Sequence, residues 1–243
     1  MPTATIAIDV ANFPEGSSHR SRQHRCITRL IEDTPDDFEV RLGIVAPDAK
    51  QIHSWPRDGF EKHSDKHVPY VTDLLDYATS FGNPLGGFIN SDIFLHPAAF
   101  PKLRQFAAEN VDVVLLHRTD VTEGQLSRFT SMQDPTLVTA VGTRVAPGRS
   151  IDGVLFSPDA WALVRDEYPD TFTIGEPWWD TAMIQLIGGM RLEHKRLYQG
   201  EVLHIKHGGN WSFSTPWGEM AHKAYQRVND AMAARRSRFT YYF

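Results

Sequence analysis

The sequence predicts an α/β domain whose mostly parallel central sheet is covered by helices on both faces. Short apolar, β-branched runs alternate along the whole chain with segments whose apolar residues recur at helical spacing. The 243 residues are 41% apolar, which is enough to bury a substantial core. Because no internal repeat and no linker rich in serine and glycine divides the chain, we expect a single domain over residues 1–243.

Six apolar runs are predicted to be strands. The clearest is VDVVLLH, which is β-branched and almost free of polar residues, as is typical of a strand buried on both faces. In chain order the predicted strands are Ala4–Asp9, Phe38–Val45, Leu85–Ile89, Val111–His117, Asp152–Phe156 and Val202–Ile205.

Six helices are predicted between and after these strands. Proline marks several helix starts, because the amide hydrogen that it lacks would have no intrahelical partner in the first turn. The predicted helices are Ser18–Asp33, Val71–Thr79, one opening at Pro97, Pro158–Arg165, Trp178–Ile187 and Pro216–Arg235. The last of them lies in a C-terminal segment of helix and tail, residues 213–243.

Composition excludes several classes of protein. The formal charge of −5 and the pI near 6.1 argue against a nucleic-acid partner, which requires clustered cations. Cys26 has no second cysteine to pair with, so the chain is no disulfide scaffold. No apolar run approaches the roughly 20 residues that cross a bilayer. Since the first ten residues also lack a basic start, we expect no transmembrane segment and a cytoplasmic location; the oligomeric state is open.

Polar residues follow several predicted strands, at the edge of a parallel sheet where ligands bind. Asp92 by itself could be no more than a helix cap. Together with a late histidine, its oxygen forms a mixed donor set that suits Mn²⁺ or Mg²⁺ and leaves positions for a diphosphate. The polar residues at these strand ends are Asp9, Asp48, Asn90-Ser91-Asp92, His117-Arg118, Asp152, His204 and His207.

Several catalytic motifs are absent from the sequence. It contains no G-x-x-x-x-G-K-[ST] loop, no G-x-G-x-x-G after a strand, no H-E-x-x-H and no G-x-S-x-G. His63 and His67 could chelate a metal on a helix, but their polar, proline-flanked surroundings favour a loop. A metal-dependent hydrolase would need several converging ligands, and only His204 and His207 are close in sequence.

The segment Gly175–Asp180 combines a proline and two acidic residues, a pattern that favours a helix start. Two adjacent tryptophans point in different directions on a helix. One of Trp178 and Trp179 could form the apolar wall of a carbohydrate pocket, and the alternative is that both pack in the core. Asp180, just beyond them, is a candidate general base or sugar ligand.

Four segments in this order resemble a bacterial group of nucleotide-diphospho-sugar transferases with the GT-A-type glycosyltransferase fold. That group carries an N-S-D-I segment, a D-x-F-V-F-like strand, a G-x-P-x-W-D segment and a late turn that contains histidine. The corresponding segments here are Gly86–Phe100, Ile151–Trp161, Ile174–Ile184 and Leu203–Ser212, and Leu42–Asp48 and Val68–Ala78 also fit.

The resemblance implies roles for particular residues. Asn90-Ser91-Asp92 falls at the position of the D-x-D motif, so Asp92 would hold the cation, with His207 as a further ligand and His204 as a weaker candidate. Asn90 departs from the acidic residue that usually opens that motif, which leaves a cation-independent or inactive protein open.

Further residues are placed by the same resemblance. Asp180 would be the general base of an inverting transfer, with Asp152 on the acceptor side. Asp9, Arg20 and Arg22 would lie near the nucleotide, where the arginines neutralise phosphate.

We therefore expect a hexosyltransferase-like glycosyltransferase of polysaccharide biosynthesis, with a nucleotide-sugar donor, a carbohydrate or glycoside acceptor and Mn²⁺ or Mg²⁺ at Asp92. One alternative is a non-catalytic protein of the same fold that binds sugar nucleotides or carbohydrate. A nucleotidyltransferase is discounted, because residues 11–16 after the first strand hold one glycine and no lysine.

Overall fold

The computed structural model describes residues 2–9, 16, 18–43, 69–129, 143–144, 151–175, 177–198, 200–206 and 216–240. Within these residues the chain forms ten strands and seven helices, and the α/β class is confirmed. The strands are β1 (Ala4–Asp9), β2 (Phe38–Gly43), β3 (Leu85–Ile89), β4 (Ile93–Leu95), β5 (Val113–Leu116), β6 (Thr119–Val121), β7 (Thr143–Arg144), β8 (Gly153–Phe156), β9 (His194–Leu197) and β10 (Val202–Ile205). The helices are α1 (Ser18–Asp33), α2 (Val71–Thr79), α3 (Ala99–Ala108), α4 (Glu123–Phe129), α5 (Pro158–Arg165), α6 (Trp179–Met190) and α7 (Pro216–Thr240).

The central sheet has six strands in the order β2-β1-β3-β8-β5-β9. β1 is parallel to both β2 and β3, and β5 is parallel to β9. β8 runs antiparallel to its two neighbours, β3 and β5. The sheet is therefore mixed, and the prediction of a mostly parallel sheet is not confirmed. Alternating apolar runs and helices indicate the class of a fold but not the direction of each strand.

A second, four-stranded sheet has the order β4-β10-β6-β7. β10 pairs antiparallel with β4 and parallel with β6, and β6 pairs antiparallel with β7. Only β10 of these strands is predicted from the sequence. The others have two or three residues each, which is too short for an alternating pattern to stand out.

Helices cover both faces of the central sheet because side chains alternate along each buried strand. Phe88, Val113 and Phe156 face one core, which also contains residues of α2, α5, α6 and α7. Ile89 and Val114 face the opposite core, together with residues of α1 and α3.

Two glycines of β3 allow neighbouring backbones to approach closely. A Cβ atom on Gly86 would lie 2.5 Å from the carbonyl oxygen of Ala78 in α2, and one on Gly87 would lie 1.9 Å from that of Val154 in β8. No side chain fits at either position, so the Gly-Gly pair in the sequence is a requirement of helix and strand packing.

Most predicted elements are confirmed within one or two residues. The bounds of β1, α1, α2, β3, α5 and β10 agree with the predictions, whereas β5 and β8 are shorter. The second predicted strand is described as far as Gly43, because residues 44–45 lie outside the described residues. α6 extends three residues beyond Ile187, and α7 extends to Thr240. Asp48, His63 and His67 lie outside the described residues.

Candidate functional site

β1 and β3 end side by side at one edge of the central sheet. The register pairs Ile8 with Ile89, so that Asp9 and Asn90 come at the ends of neighbouring strands. Because the strands are parallel, both side chains belong to the carboxyl edge, where ligands gather in α/β sheets.

Asp152 joins this edge because β8 is reversed. It precedes β8, and in an antiparallel strand the first residue lies beside the last residues of its neighbours. Its carbonyl oxygen accepts a hydrogen bond from the Asn90 amide at 2.8 Å, and its own amide donates to the Leu116 carbonyl at 3.1 Å. Sequence analysis locates Asp152 among the edge residues, but the reversal of β8 is the reason that it lies there.

The second sheet contributes three more polar side chains. His204 in β10 lies opposite Asp120 of β6 on one side and Ile93 of β4 on the other. Asp92 immediately precedes Ile93, so the pairing of these short strands sets Asp92 and Asp120 on the two sides of one histidine.

These residues form a continuous chain of polar contacts that we call the charged cluster. The Asn90 amide group donates to Asp152 at 3.1 Å, and Arg118 Nη1 donates to both Asp152 oxygens at 3.1 Å. Arg118 Nε lies 3.1 Å from Asp120, and His204 then bridges Asp120 and Asp92. The charged cluster consists of Asn90, Asp92, Arg118, Asp120, Asp152 and His204.

Both ring nitrogens of His204 face carboxylates. Nδ1 lies 2.8 Å from Asp120 Oδ1, and Nε2 lies 3.3 Å from Asp92 Oδ2. A neutral imidazole has only one N–H group, so this geometry is that of an imidazolium. Burial lowers the pKa of His204, but the hydrogen bonds to Asp120 and Asp92 and the charges of Asp92 and Asp152 outweigh it and raise the pKa to about 9.

Arg118 balances the buried carboxylates. Burial raises the pKa of Asp152, and the charge of Arg118 opposes that rise. Burial also acts to raise the pKa of Asp120, but hydrogen bonding to His204 and the charge of Arg118 lower it below its ordinary value. The carboxylates in turn raise the pKa of Arg118 against its own burial. Mutual pairing in the charged cluster thus opposes the cost of burying its charges.

Asp180 lies in the first turn of α6, as the sequence predicts, and comes within the electrostatic range of Arg118. Its Oδ1 accepts a hydrogen bond from the Thr181 amide at 2.8 Å. Burial raises the pKa of Asp180, while the bonds from Thr181 and the charge of Arg118 oppose the rise. A carboxylate with a raised pKa is a better proton acceptor near neutral pH than an ordinary aspartate.

The two tryptophans both pack against protein. Trp179 is buried against Phe88, with ring centroids 5.2 Å apart. Trp178 is half-buried and stacks on Tyr225 of α7, with centroids 4.8 Å apart and planes 17° apart, and it also contacts His222. Of the two alternatives given by the sequence, this packing supports the one in which both residues belong to the core rather than to the wall of an open pocket.

Helix α1 approaches the charged cluster from the other side. Gln23 Nε2 donates to Ser91 Oγ at 2.9 Å, and the pKa of buried Cys26 rises to about 12 through burial and the charge of Asp92. Arg22 is buried and contacts the His19 ring at 2.9 Å, but it forms no ion pair with a carboxylate in the described part of the chain. Arg20, in contrast, is exposed.

Two oxygens at the ends of β1 and β3 are buried and accept no hydrogen bond from the residues that the structure describes. They are Oδ1 of Asp9 and Oδ1 of Asn90. Burial alone raises the pKa of Asp9 to about 8, so that its carboxyl is mostly protonated at neutral pH. Buried oxygens that lack a donor are costly, and a ligand that supplies hydroxyl or N–H groups would satisfy them.

His207 lies outside the described residues, so its predicted convergence with Asp92 stays a prediction. His204 does meet Asp92, although sequence analysis ranks it below His207. Over the described ranges, no group of three or more His, Cys, Asp or Glu side chains is arranged to hold a metal ion.

Sequence analysis does not assign a role to Arg118 or Asp120. Arg118 follows the clearest buried strand, and its position after that strand was a usable signal. Asp120 lies in the middle of three-residue β6, and nothing local distinguishes it from a loop residue.

No protein-family model matches the chain, and no curated protein matches its sequence significantly. Among the described helices, none combines the length and the apolar character that a membrane span needs.

Proposed function

We propose that the protein is a glycosyltransferase that moves a sugar from a nucleoside-diphosphate sugar to a hydroxyl acceptor. The observation that carries the proposal is the charged cluster. Its side chains come from distant parts of the chain and meet at the carboxyl edge of an α/β sheet. The GT-A-like fold, the hexosyl donor and a part in polysaccharide biosynthesis belong to the same proposal and rest on the resemblance of four segments. A cytoplasmic location is also part of the proposal, and the buried free thiol of Cys26 is consistent with a reducing compartment.

The donor side of the proposed site is the region of Asp9, Asn90 and Arg22. The unpaired oxygens of Asp9 and Asn90 can accept hydrogen bonds from the hydroxyl or N–H groups of a nucleoside. Arg22 is a buried cation without a carboxylate partner in the described residues, and a phosphate would supply the missing negative charge. Exposed Arg20 adds positive charge at the same end of α1.

A divalent cation at Asp92 is also part of the proposal, although the described residues contain no arranged group of three or more His, Cys, Asp or Glu ligands. Four carboxylates, Asp92, Asp120, Asp152 and Asp180, interact electrostatically with Arg118, and the described cations that offset them are Arg118, His204 and Lys206. The one remaining negative charge would favour a bound cation. Asp92 would hold it, because oxygen donors suit Mn²⁺ and Mg²⁺. When bound, such a cation neutralises charge that develops on a leaving diphosphate.

We propose that His204, which sequence analysis ranks below His207, acts beside Asp92. It touches Asp92 through Nε2, while Asp120 holds Nδ1 and fixes the orientation of the ring. As an imidazolium it also brings a positive charge to the diphosphate side, and this charge stabilises the transition state more than the ground state.

Asp180 is the general base of the proposal. Its raised pKa suits proton transfer from an acceptor hydroxyl, and among the described residues its oxygens are engaged by the adjacent Thr181 and by its own backbone amide. Asp152 is a poorer base because Arg118 and Asn90 occupy its oxygens. We assign Asp152 the task of orienting Arg118 at the acceptor side.

The experiment measures donor binding and sugar transfer separately. Titration calorimetry with a panel of nucleoside-diphosphate sugars, with and without Mn²⁺, is expected to show binding that Mn²⁺ strengthens. Asp92→Ala is expected to abolish the Mn²⁺ effect. The matched control is Asp76→Ala, which also removes an ion-paired aspartate but on α2, against Arg165. Unchanged donor affinity in Asp92→Ala would remove the cation from the proposal.

Transfer itself is tested with Asp180→Asn. We expect a loss of about 100-fold or more in the rate of transfer with donor affinity unchanged, because only proton removal is lost. Binding of donors without any transfer or hydrolysis in the wild type would instead support the non-catalytic binding protein. If the wild type shows neither donor binding nor transfer with any member of the panel, both functions are contradicted.

A further inference from the structure

Trp178 has a backbone conformation that is unusual for its residue type and position. Its φ of 78° and ψ of −16° are left-handed, whereas a residue that precedes a helix is normally extended. Two other described non-glycine residues, Asn110 and Arg191, also have a positive φ. Asparagine tolerates this conformation, and Arg191 caps the end of α6, where a positive φ is common. For a bulky aromatic residue the conformation costs free energy and persists only when the surroundings impose it.

The surroundings of Trp178 are supplied by helix α7. Its ring stacks on Tyr225 and lies 4.9 Å from the His222 ring. α7 in turn packs against α6 at Gly189, where the buried Met232 side chain fills the space beside the glycine. A Cβ atom on residue 189 would lie 2.4 Å from the Met232 sulfur. The C-terminal helix therefore holds the start of α6 from outside.

Trp179, the next residue, is held by the central sheet and by Tyr168. The Trp179 ring packs on Phe88 of β3, and its carbonyl oxygen accepts a hydrogen bond from the buried hydroxyl of Tyr168 at 3.0 Å. Consecutive residues of one turn are thus fixed against α7 and against the central sheet. Asp180 follows directly, and the two charged or titratable groups that act on it are Arg118 and Tyr168.

We infer that Trp178 is a positioning residue, whose left-handed backbone and stacking on α7 start α6 at the point that directs Asp180 toward Arg118. The inference rests on the proposed function only in taking Asp180 as the base. An ordinary extended residue before α6 would change the direction in which the chain enters the first turn, and Asp180 would turn with it. The strain at Trp178 is maintained because the aromatic contacts with Tyr225 and His222 oppose its release.

The test follows the Asp180 carboxyl signal by ¹³C NMR in protein labelled at aspartate, with the signal assigned by its loss in Asp180→Asn. In Trp178→Phe, which keeps a stacking ring, the titration of Asp180 is expected to match the wild type. In Trp178→Ala its midpoint is expected to fall by about one pH unit, because the released turn exposes the carboxyl to water. The Asp152 signal serves as the internal control and should not move.

Two further variants keep the inference falsifiable. Trp178→Gly accepts the left-handed backbone without strain, so it should melt at a higher temperature than Trp178→Ala; an equal or lower temperature would contradict the strain. If Trp178→Ala does not fold, Tyr225→Leu removes the stacking partner instead and should lower the Asp180 midpoint.

An unchanged Asp180 signal in a folded variant that lacks the stacking overturns the inference. The NMR measurement needs neither donor nor acceptor, so its outcome is independent of whether sugar transfer is found. Where transfer is found, Trp178→Ala should lower kcat and leave the donor KM unchanged.

Discussion

In the charged cluster each ionised side chain faces an opposite charge, whereas Asp9 and Arg22 are buried without one in the part of the chain that the structure describes. Arg118 and His204 neutralise Asp92, Asp120 and Asp152 through direct contacts. Asp9 instead avoids charge by retaining its proton, and Arg22 contacts only the ring of His19.

The difference separates charges that are already paired within the protein from buried groups that a ligand could still pair. A buried ion pair is strongly destabilised when one partner is removed, because the other charge is left without compensation. A buried charge with no partner gains most when an external group arrives to pair with it. We therefore expect substitutions in the charged cluster to affect stability, and substitutions at Arg22 to affect binding.

The largest effect is expected for Arg118→Met. Removing this guanidinium leaves Asp152, whose side chain is 7% exposed, without its ion-pair partner and leaves Asp120 with His204 alone, so the free energy of unfolding should fall by about 4 kcal/mol. Arg165→Met is the control, because Arg165 pairs with Asp76 and Asp170 near the surface and should cost less than about 1 kcal/mol. Urea unfolding measures both, and equal losses would contradict the special position of the charged cluster.

Asp9→Asn should remove a dependence of stability on pH. The pKa of Asp9 is about 8 in the folded protein and near 4 when unfolded, so the folded state binds the extra proton and loses stability as pH rises from 4 to 8. We expect wild-type protein to lose about 5 kcal/mol through this group over that range, and the variant to lose none of it. Thermal unfolding at pH 5 and pH 8 provides the measurement. Identical pH profiles would show that the carboxyl is already ionised when folded.

His204→Gln tests the pH dependence of stability at a group whose folded pKa is raised by contacts with carboxylates. The folded pKa near 9 lies above the unfolded value of 6.5, so stabilisation by the imidazolium is complete below pH 6.5 and is lost as pH rises through 9. The variant should be less stable than the wild type by about 3 kcal/mol at pH 6. The two proteins should converge near pH 10, as chemical unfolding at each pH would record. A gap of constant size would mean that His204 acts through packing alone.

The smallest effect on stability is expected for Arg22→Met. Since Arg22 has no carboxylate partner in the described ranges, its loss should change the free energy of unfolding by less than about 0.5 kcal/mol. Affinity for a nucleoside diphosphate should nevertheless fall about tenfold, because a charge-assisted bond to phosphate is lost. Arg25→Met, on an exposed position of the same helix, is the matched control in calorimetry. A large loss of stability with unchanged affinity would place Arg22 with the structural charges.

The site was predictable where a polar residue directly follows a long apolar strand. Asp9, Asn90 and Asp92 follow such strands and lie at the carboxyl edge of the central sheet or directly beside it. Asp180 was predictable from the proline, the acidic residues and the apolar spacing that mark the start of a helix. In each case the signal is local, because the chain within a few residues specifies both the element and its end.

The partners of these residues were not predictable in the same way. Asp120 meets His204 only because two strands of three and four residues pair in one register, 84 positions apart in the chain. The preference for His207 over His204 followed a resemblance of sequence, which carries no information about which side chain the register directs at Asp92.

The sequence alone determined that this chain forms an α/β domain with helices on both faces of its sheet, because apolar spacing of two and of 3.6 residues is a property of each segment. Tertiary structure decided the rest. It reversed β8 and so brought Asp152 to the edge, paired β10 with β6 and so joined His204 to Asp120, and stacked α7 on Trp178 ahead of Asp180. Strand direction, register and helix docking depend on free energies summed over distant contacts, and no single segment contains them.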